Sequence, residues 1–331
     1  MTKVVRFYET GGPEVLKVED MEVAAPGPGE IRMNIETIGL NRAEAMFRSG
    51  MYLEETRLPA RLGYEAVGTV DAVGSGVTDF AAGDAVSVVP AFSLNDYGVY
   101  AEQAVVPAAA VVRTPAGLDA IHAAAVWMPY LTAYGALVDI GQLQHGDAVI
   151  IPAASSSVGL AAIQIANSIG ATTIATTRSD AKREALLEAG AAHVIVTEEQ
   201  DLVAEVKRIT GDRGARIVFD PVGGPQVEVL TQAMARFGIL FVYGALSDQP
   251  TPFPTITALN MSLSLRGYVL FEFSRDPQRL ARACAYVTGG LESGALKPTI
   301  AKTFTLDEIV EAHRYMESNE QFGKIVVTVP R

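Results

Sequence analysis

Along its first third the chain sets apolar against polar positions in short runs cut by glycine and proline: VVRFYETGGP, LKVEDMEVAAPGPGE, IRMNIETIGL, AVGTVDAVGSGV, DAVSVVP and YAEQAVVP. Strand-sized runs separated by turn residues predict an antiparallel, barrel-like β region. From about residue 121 the rhythm changes, and fully apolar runs alternate with amphipathic ones. The pattern predicts strands over 147–152, 172–176, 193–196, 216–219, 238–242 and 263–267. Helices are predicted between them over 158–169, 181–189, 202–209 and 227–235. Strand and helix repeated at this pitch imply an α/β domain with a doubly wound parallel sheet covered on both faces. The tail reads as a helix over 276–289 and strands near Phe304 and over 325–329. It has no sheet of its own, so it is expected to return to the N-terminal β region. The expected division is a β-rich catalytic domain, 1–121 with 268–331, and a dinucleotide-binding domain, 122–267.

Composition narrows the function. The 331 residues are 49% hydrophobic and 19% charged, as in a folded two-domain enzyme rather than a disordered chain. A formal charge of −12, with no block of Lys and Arg, argues against nucleic acid and anionic membranes as partners. Cys284 is the only cysteine, which excludes an intrachain disulfide and a cysteine-based metal cluster. The N-terminus lacks a signal-peptide pattern and no run approaches 18 uninterrupted apolar residues, so a cytoplasmic protein is expected.

The first strand of the predicted α/β domain ends in PAASSSVG. That turn is where a dinucleotide fold offers backbone N–H groups to a pyrophosphate. The fingerprint wants small residues at spacings of one, three and six, and Ala154, Ser156 and Gly159 take those places. Ser155, Ser156, Ser157 and Val158 complete the turn. A plainer role for the serines is to cap the following helix.

The second strand ends ATTRSDAKRE. An acid at this strand end holds an unphosphorylated ribose, whereas an arginine with small polar neighbours meets a 2′-phosphate. Thr177 stands at the strand end, followed by Arg178 and Ser179, with Lys182 a turn further on. Asp180 lies 21 residues past Gly159, near the nominal place of the ribose acid, but it heads a helix, where capping explains it. NADPH is the expected cofactor. A solvated charge run would explain Lys182 and Arg183 as well.

The segments NRAEAMFRSGMY (41–52), LGYEAVGTVDAVGSGV (62–77), AGDAV (82–86), LTAYGAL (131–137), AASSSVG (153–159), FDPVGG (219–224) and FGKIVV (322–327) together resemble the medium-chain dehydrogenase/reductase superfamily. Within it they are most similar to the zinc-free quinone oxidoreductases, the zeta-crystallin-like branch. The resemblance implies a GroES-like catalytic domain, a Rossmann domain and a homodimer. It places Asn41 and Tyr52 in the catalytic cleft and Tyr64 where a zinc ligand stands in metal-dependent members, although turn and core packing would also account for all three. It assigns Thr132, Gly244, Ala245, Leu246 and Phe271 to the nicotinamide side, and Asn319, Gly323 and Lys324 to a tail closing over the cofactor. Two family tyrosines are replaced, by Met46 and Thr197, so NADPH binding is expected to rest on Arg178 and Lys182. With Tyr64 in the ligand position and His122, His145, His193 and His313 scattered, no zinc is expected. The implied activity is hydride transfer from NADPH to a quinone or an α,β-unsaturated carbonyl. The alternatives are an NAD(H)-dependent alcohol or ketone dehydrogenase, and a nucleotide-binding, crystallin-like or sensor protein with little turnover.

Overall fold

Why the first 128 residues form a β region is visible in their burial pattern. β3 (Glu30–Gly39) alternates half-buried and buried positions, the mark of a strand with one face on a core. It follows β1 (Thr2–Phe7) and β2 (Lys17–Met21), and leads into α1 (Arg42–Arg48). Then come β4 (Ala60–Arg61), β5 (Ala66–Val73), β6 (Ala85–Val88), β7 (Gln103–Pro107), β8 (Val111–Arg113) and the short α2 (Ala120–Ala123). The computed structural model describes residues 1–330.

The next stretch carries the alternating elements. They are α3 (Trp127–Tyr134), β9 (Ala148–Ile151), α4 (Ser157–Ile169), β10 (Thr172–Thr177), α5 (Arg183–Glu188), β11 (His193–Val196), α6 (Leu202–Thr210), β12 (Ala215–Asp220), α7 (Gln226–Gln232), β13 (Met234–Val242), α8 (Thr255–Met261) and β14 (Ser264–Gly267). The chain ends with α9 (Phe271–Ser274), α10 (Pro277–Glu292), β15 (Ile300–Thr305), α11 (Ile309–Ser318) and β16 (Lys324–Thr328).

Two compact units result. The first comprises Met1–Met128, Ser274–Arg282 and the chain from Pro298 onward; the second comprises Pro129–Phe273 and Ala283–Lys297. In the first, β2-β1-β4 form a small antiparallel sheet, and a larger sheet runs β15-β16-β3-β5-β6-β8 with β7 also on β3. The returning tail joins it as expected: β16 pairs antiparallel with β3 through Val327↔Ile38, and β15 lies parallel to β16.

In the second unit all pairings are parallel and the strand order is β11-β10-β9-β12-β13-β14. The doubly wound expectation holds. β9 is the switch point, with β10 on one side and β12 on the other, and its four residues are all buried. A ligand crevice in such a sheet opens at the carboxyl end of that strand. The helices packed on the sheet are capped as their sequences dictate: Ser156 and Asp201 accept from the N–H three residues on, and Gly170 and Gly211 end their helices in the left-handed region.

Two expected helices are bounded differently. The helix expected over 181–189 begins as a 3-10 turn, Asp180–Lys182, and becomes α-helical only at Arg183. The helix expected over 227–235 stops at Gln232, because Met234 is already paired with Ala215 at the head of a longer β13. An irregularity in that ladder absorbs Phe237, whose φ is +61°. Finally, Ala120–Ile140 is one 21-residue helical stretch long and apolar enough to cross a membrane, but 78% of its most apolar window is buried inside the protein, as in a core helix.

Candidate active site

The turn after β9 begins with Ala153 at φ +48°, a left-handed residue that reverses the chain into α4. Gly159 is required there by contact. A Cβ at that position would stand 2.6 Å from the Ala154 carbonyl oxygen and 2.7 Å from its Cα. Ala154 is itself fully packed at 1% exposure. Ser156 is the N-cap, its Oγ accepting from Gly159 N at 3.0 Å, so the capping role read for the serines is filled by this one. Ser155, Ser157 and Val158 are half-buried at the helix start, where the first N–H groups lack helical partners.

The end of β10 meets this turn where the Thr176 carbonyl accepts from Ala154 N at 3.5 Å, and the segment beyond β10 reaches it through a side chain. Lys182 Nζ donates to Ser155 Oγ at 3.2 Å, placing an ammonium at the positive end of α4. Asp180 is engaged elsewhere, its carboxylate paired with Arg183 Nε at 2.5 Å, and Arg183 also donates to Gln200 Oε1. Thr177 bonds the Ser179 carbonyl through its hydroxyl. Arg178 and Ser179 are exposed. A cluster of a cation, hydroxyls and helix N–H groups fits an anionic phosphate.

The remaining residues expected near the nicotinamide are spread over this unit. Thr132 is buried and its carbonyl accepts from Tyr268 Oη at 3.1 Å. Gly244 is a contact glycine, since a Cβ would meet the Pro221 carbonyl oxygen at 2.4 Å, and Leu246 N bonds that same carbonyl at 3.3 Å. Ala245 and Leu246 are exposed, and Phe271 is half-buried at the start of α9. Two groups here were not anticipated. Asp220, at the end of β12, accepts from Val222 N, Gly223 N and Gln226 Nε2 at 2.9–3.0 Å, and burial pushes its carboxyl up to about 6. Tyr243 closes β13 with its ring stacked on Phe219 at 4.0 Å.

In the first unit, Asn41 and Lys324 meet in a buried polar array. Lys324 Nζ donates to Glu65 Oε2 and to Asn41 Oδ1, each at 2.6 Å. The other Glu65 oxygen takes Trp127 N at 2.6 Å and Met128 N at 3.1 Å. Asn41 begins α1 with a capping box: its backbone N–H donates to Glu44 Oε2 at 2.7 Å, and its amide donates to the Gly39 carbonyl at 2.9 Å. Glu44 also takes Tyr64 N at 2.9 Å and Tyr100 Oη at 2.6 Å. Burial raises its carboxyl, while Tyr100, Tyr64 N and Asn41 N oppose the rise by donating to the charged form. Gly39 lies directly beneath the ion pair, where a Cβ would sit 2.8 Å from Lys324 Cε and 2.9 Å from Glu65 Oε2.

The array extends outward through His313. Arg48 can only donate, so its Nη1 at 2.7 Å makes His313 Nδ1 the acceptor and puts the ring proton on Nε2, 3.3 Å from Tyr100 Oη. Burial, then the neighbouring Arg48 charge, pushes His313 down to about 3.

Tyr64 is wholly buried, and its ring sits between Tyr52 and Phe92, at 6.4 and 5.7 Å. Burial drives Tyr64 far above the ordinary phenol range, and Tyr52 to about 12, with the Tyr64 phenol pulling the latter back. Both therefore stay protonated at neutral pH. Asn319 is the left-handed cap of α11 and its Oδ1 accepts from Arg42 Nη2. Gly323, at φ +104°, passes the Thr299 carbonyl so closely that a Cβ would stand 2.5 Å from it.

Known proteins place this arrangement. Residues 27–116 match the family described as alcohol dehydrogenase GroES-like domain, and residues 157–285 that described as zinc-binding dehydrogenase. A quinone oxidoreductase of Pseudomonas aeruginosa is 32% identical over 99% of both chains. The chain belongs to the quinone oxidoreductase branch of the medium-chain dehydrogenase/reductase superfamily. Another member, a 2-haloacrylate reductase of a Burkholderia species, is 29% identical over 99% of both chains. Among solved structures of the branch, Escherichia coli quinone oxidoreductase complexed with NADPH superposes with a TM-score of 0.92 at 31% identity, covering 98% of this chain and 99% of that one.

Zinc, named in one of the family descriptions, does not fit the residues of this member. Among the described residues no three His, Cys, Asp or Glu side chains come together. The carboxylates nearest Tyr64 already hold Lys324, Tyr100 and backbone N–H groups. A cation would have to displace those donors.

Proposed function

We propose that this protein is an NADPH-dependent oxidoreductase that reduces a quinone or an α,β-unsaturated carbonyl by hydride transfer without a metal. The observation that carries the proposal is the Lys182–Ser155 contact at the start of α4, which gathers a cation, hydroxyls and helix N–H groups where a dinucleotide fold takes phosphate. The E. coli relative bound to NADPH supports the same choice of cofactor.

NADPH, when bound, supplies the hydride. The chain's own residues bind, orient and protonate. Ser155, Ser156, Ser157, Val158 and Gly159 cradle phosphate, Arg178, Ser179 and Lys182 hold the 2′-phosphate, and Thr132, Gly244, Ala245, Leu246 and Phe271 line the nicotinamide. Hydride addition leaves the acceptor with negative charge on oxygen, which needs a donor. Tyr52, protonated at neutral pH, is that donor. Tyr64 braces its ring, and Asn41, Glu44, Glu65 and Lys324 fix the turn that carries Tyr64. Asn319 and Gly323 shape the tail before β16.

The test is NADPH oxidation with a 1,4-quinone, an enone and a plain ketone, on the wild type and on Tyr52→Phe. Turnover is expected with the quinone or enone only, and Tyr52→Phe should lower kcat about 10- to 100-fold while leaving NADPH affinity unchanged. Equal rates with NADH and a plain ketone would favour an alcohol dehydrogenase. Tight NADPH binding with no working acceptor would favour a sensor.

A homodimer accompanies this proposal. β14 is an edge strand, and α8 beside it exposes Ile256 and Leu259 at 71% each, with Phe253 at 62%. An open strand edge flanked by apolar side chains suits a second copy. Light scattering should return twice the 35.1 kDa chain mass, and a monomer at micromolar concentration would remove the dimer from the proposal. The single cysteine and the NADPH requirement suit a cytoplasmic setting.

A further inference from the structure

Tyr243 presents a polar group that the fold does not satisfy. Its backbone N–H bonds the Asp220 carbonyl at 2.9 Å, and its ring lies flat on Phe219, with 19° between the planes. The segment is fixed by the contact of Gly244 with Pro221. The ring therefore cannot swing out to water without unstacking. Yet the Tyr243 hydroxyl is shut off from solvent and makes no hydrogen bond of ordinary length.

The hydroxyl's neighbours define what is missing. Ser156, the N-cap of α4, and Asp220, at the end of β12, are the polar side chains that act on it, Asp220 opposing its ionisation. Asp220 holds its own three donors and does not bond the phenol. So the Tyr243 hydroxyl is buried beside a serine hydroxyl and a carboxylate, yet has no partner at hydrogen-bond length. A buried hydroxyl in that state is destabilising, because it gave up its bonds to water and gained none. Phenylalanine would fill the same space on Phe219 at no such cost. An acceptor arriving from outside the protein resolves the deficit, and the N-terminal end of a 13-residue helix selects an anion.

We propose that Tyr243 donates a hydrogen bond from its hydroxyl to a pyrophosphate oxygen of the bound dinucleotide at the start of α4, beside Ser156. The inference rests on the dinucleotide assignment made above. It differs from the roles given to Arg178 and Lys182, because a pyrophosphate contact is common to NADPH and NADH.

The test is Tyr243→Phe, with Kd for NADPH and NADH measured by fluorescence titration and the melting temperature of the nucleotide-free protein measured alongside. A bond to a charged acceptor predicts that both nucleotides weaken by the same factor, about tenfold or more, while the free protein melts at the same temperature or higher. Unchanged affinities overturn the proposal, as does a loss confined to NADPH. Failure of the wild type to bind either nucleotide overturns the dinucleotide assignment itself, and the Tyr243 inference with it.

Discussion

Replacing Lys324 with methionine is expected to destabilise the fold by about 3–5 kcal/mol. The ammonium is 1% exposed and sits 2.6 Å from a carboxylate, Glu65, that is fully buried. Without it Glu65 keeps only the Trp127 and Met128 N–H groups, and Asn41 Oδ1 loses its donor. A charge stranded in that way costs far more than the intact pair contributes, since two buried ions barely repay their lost hydration. Adding Glu65→Gln to the same protein should restore more than half of the loss, because a neutral amide oxygen can still accept from Trp127 N. Urea melts of the two single variants and the double variant measure the coupling. Additive losses would show that the pair does not act as a unit.

Arg178→Ala should weaken NADPH by about 10- to 100-fold and leave NADH within about twofold of the wild type. That range is what one or two charge-assisted bonds to phosphate contribute, 1.5–3 kcal/mol or so. Arg178 follows the end of β10 with its side chain exposed, and nothing in the Asp180–Arg183 pair takes up its charge. Lys182→Ala should behave differently. That ammonium also braces Ser155 at the phosphate turn, so its loss should weaken both nucleotides, NADPH more. The comparison is best made near 0.15 M salt, where screening limits the contribution of more distant charges. Parallel losses for NADPH and NADH in Arg178→Ala would show that this arginine does not meet the 2′-phosphate.

The parallel domain was legible because its signals are local: a strand, a turn of small residues and an amphipathic helix lie within thirty or so residues of one another. The phosphate turn could be found in the same way, down to the glycine that packs against Ala154. Lys324 could not. In the sequence it is one lysine before a terminal strand, assigned to the cofactor by resemblance, and its partners Asn41 and Glu65 lie in segments that only β16–β3 pairing brings near. The Asn41–Glu44 spacing is a readable capping box, but nothing local tells that Glu44 also receives Tyr64 and Tyr100. The Arg48–His313 bond is unreadable for the same reason, and the role of Tyr243 because a tyrosine at a strand end looks like any core aromatic until its hydroxyl is found without a partner. The helical pattern runs past the end of α7 because pairing of Met234 with Ala215 overrides it.

The placement of β16 bears on biosynthesis. The strand seated between β3 and β15 is made after all six strands of the parallel unit, most of which is one continuous segment, Pro129–Phe273. A ribosome therefore releases the parallel unit with its strands in hand, while the Thr37–Gly39 end of β3, beyond the stretch that β7 pairs, waits with its edge open until Thr328 emerges. The nascent β unit must be kept from pairing with other chains over that interval, and the arrival of β16 decides when the exposure ends.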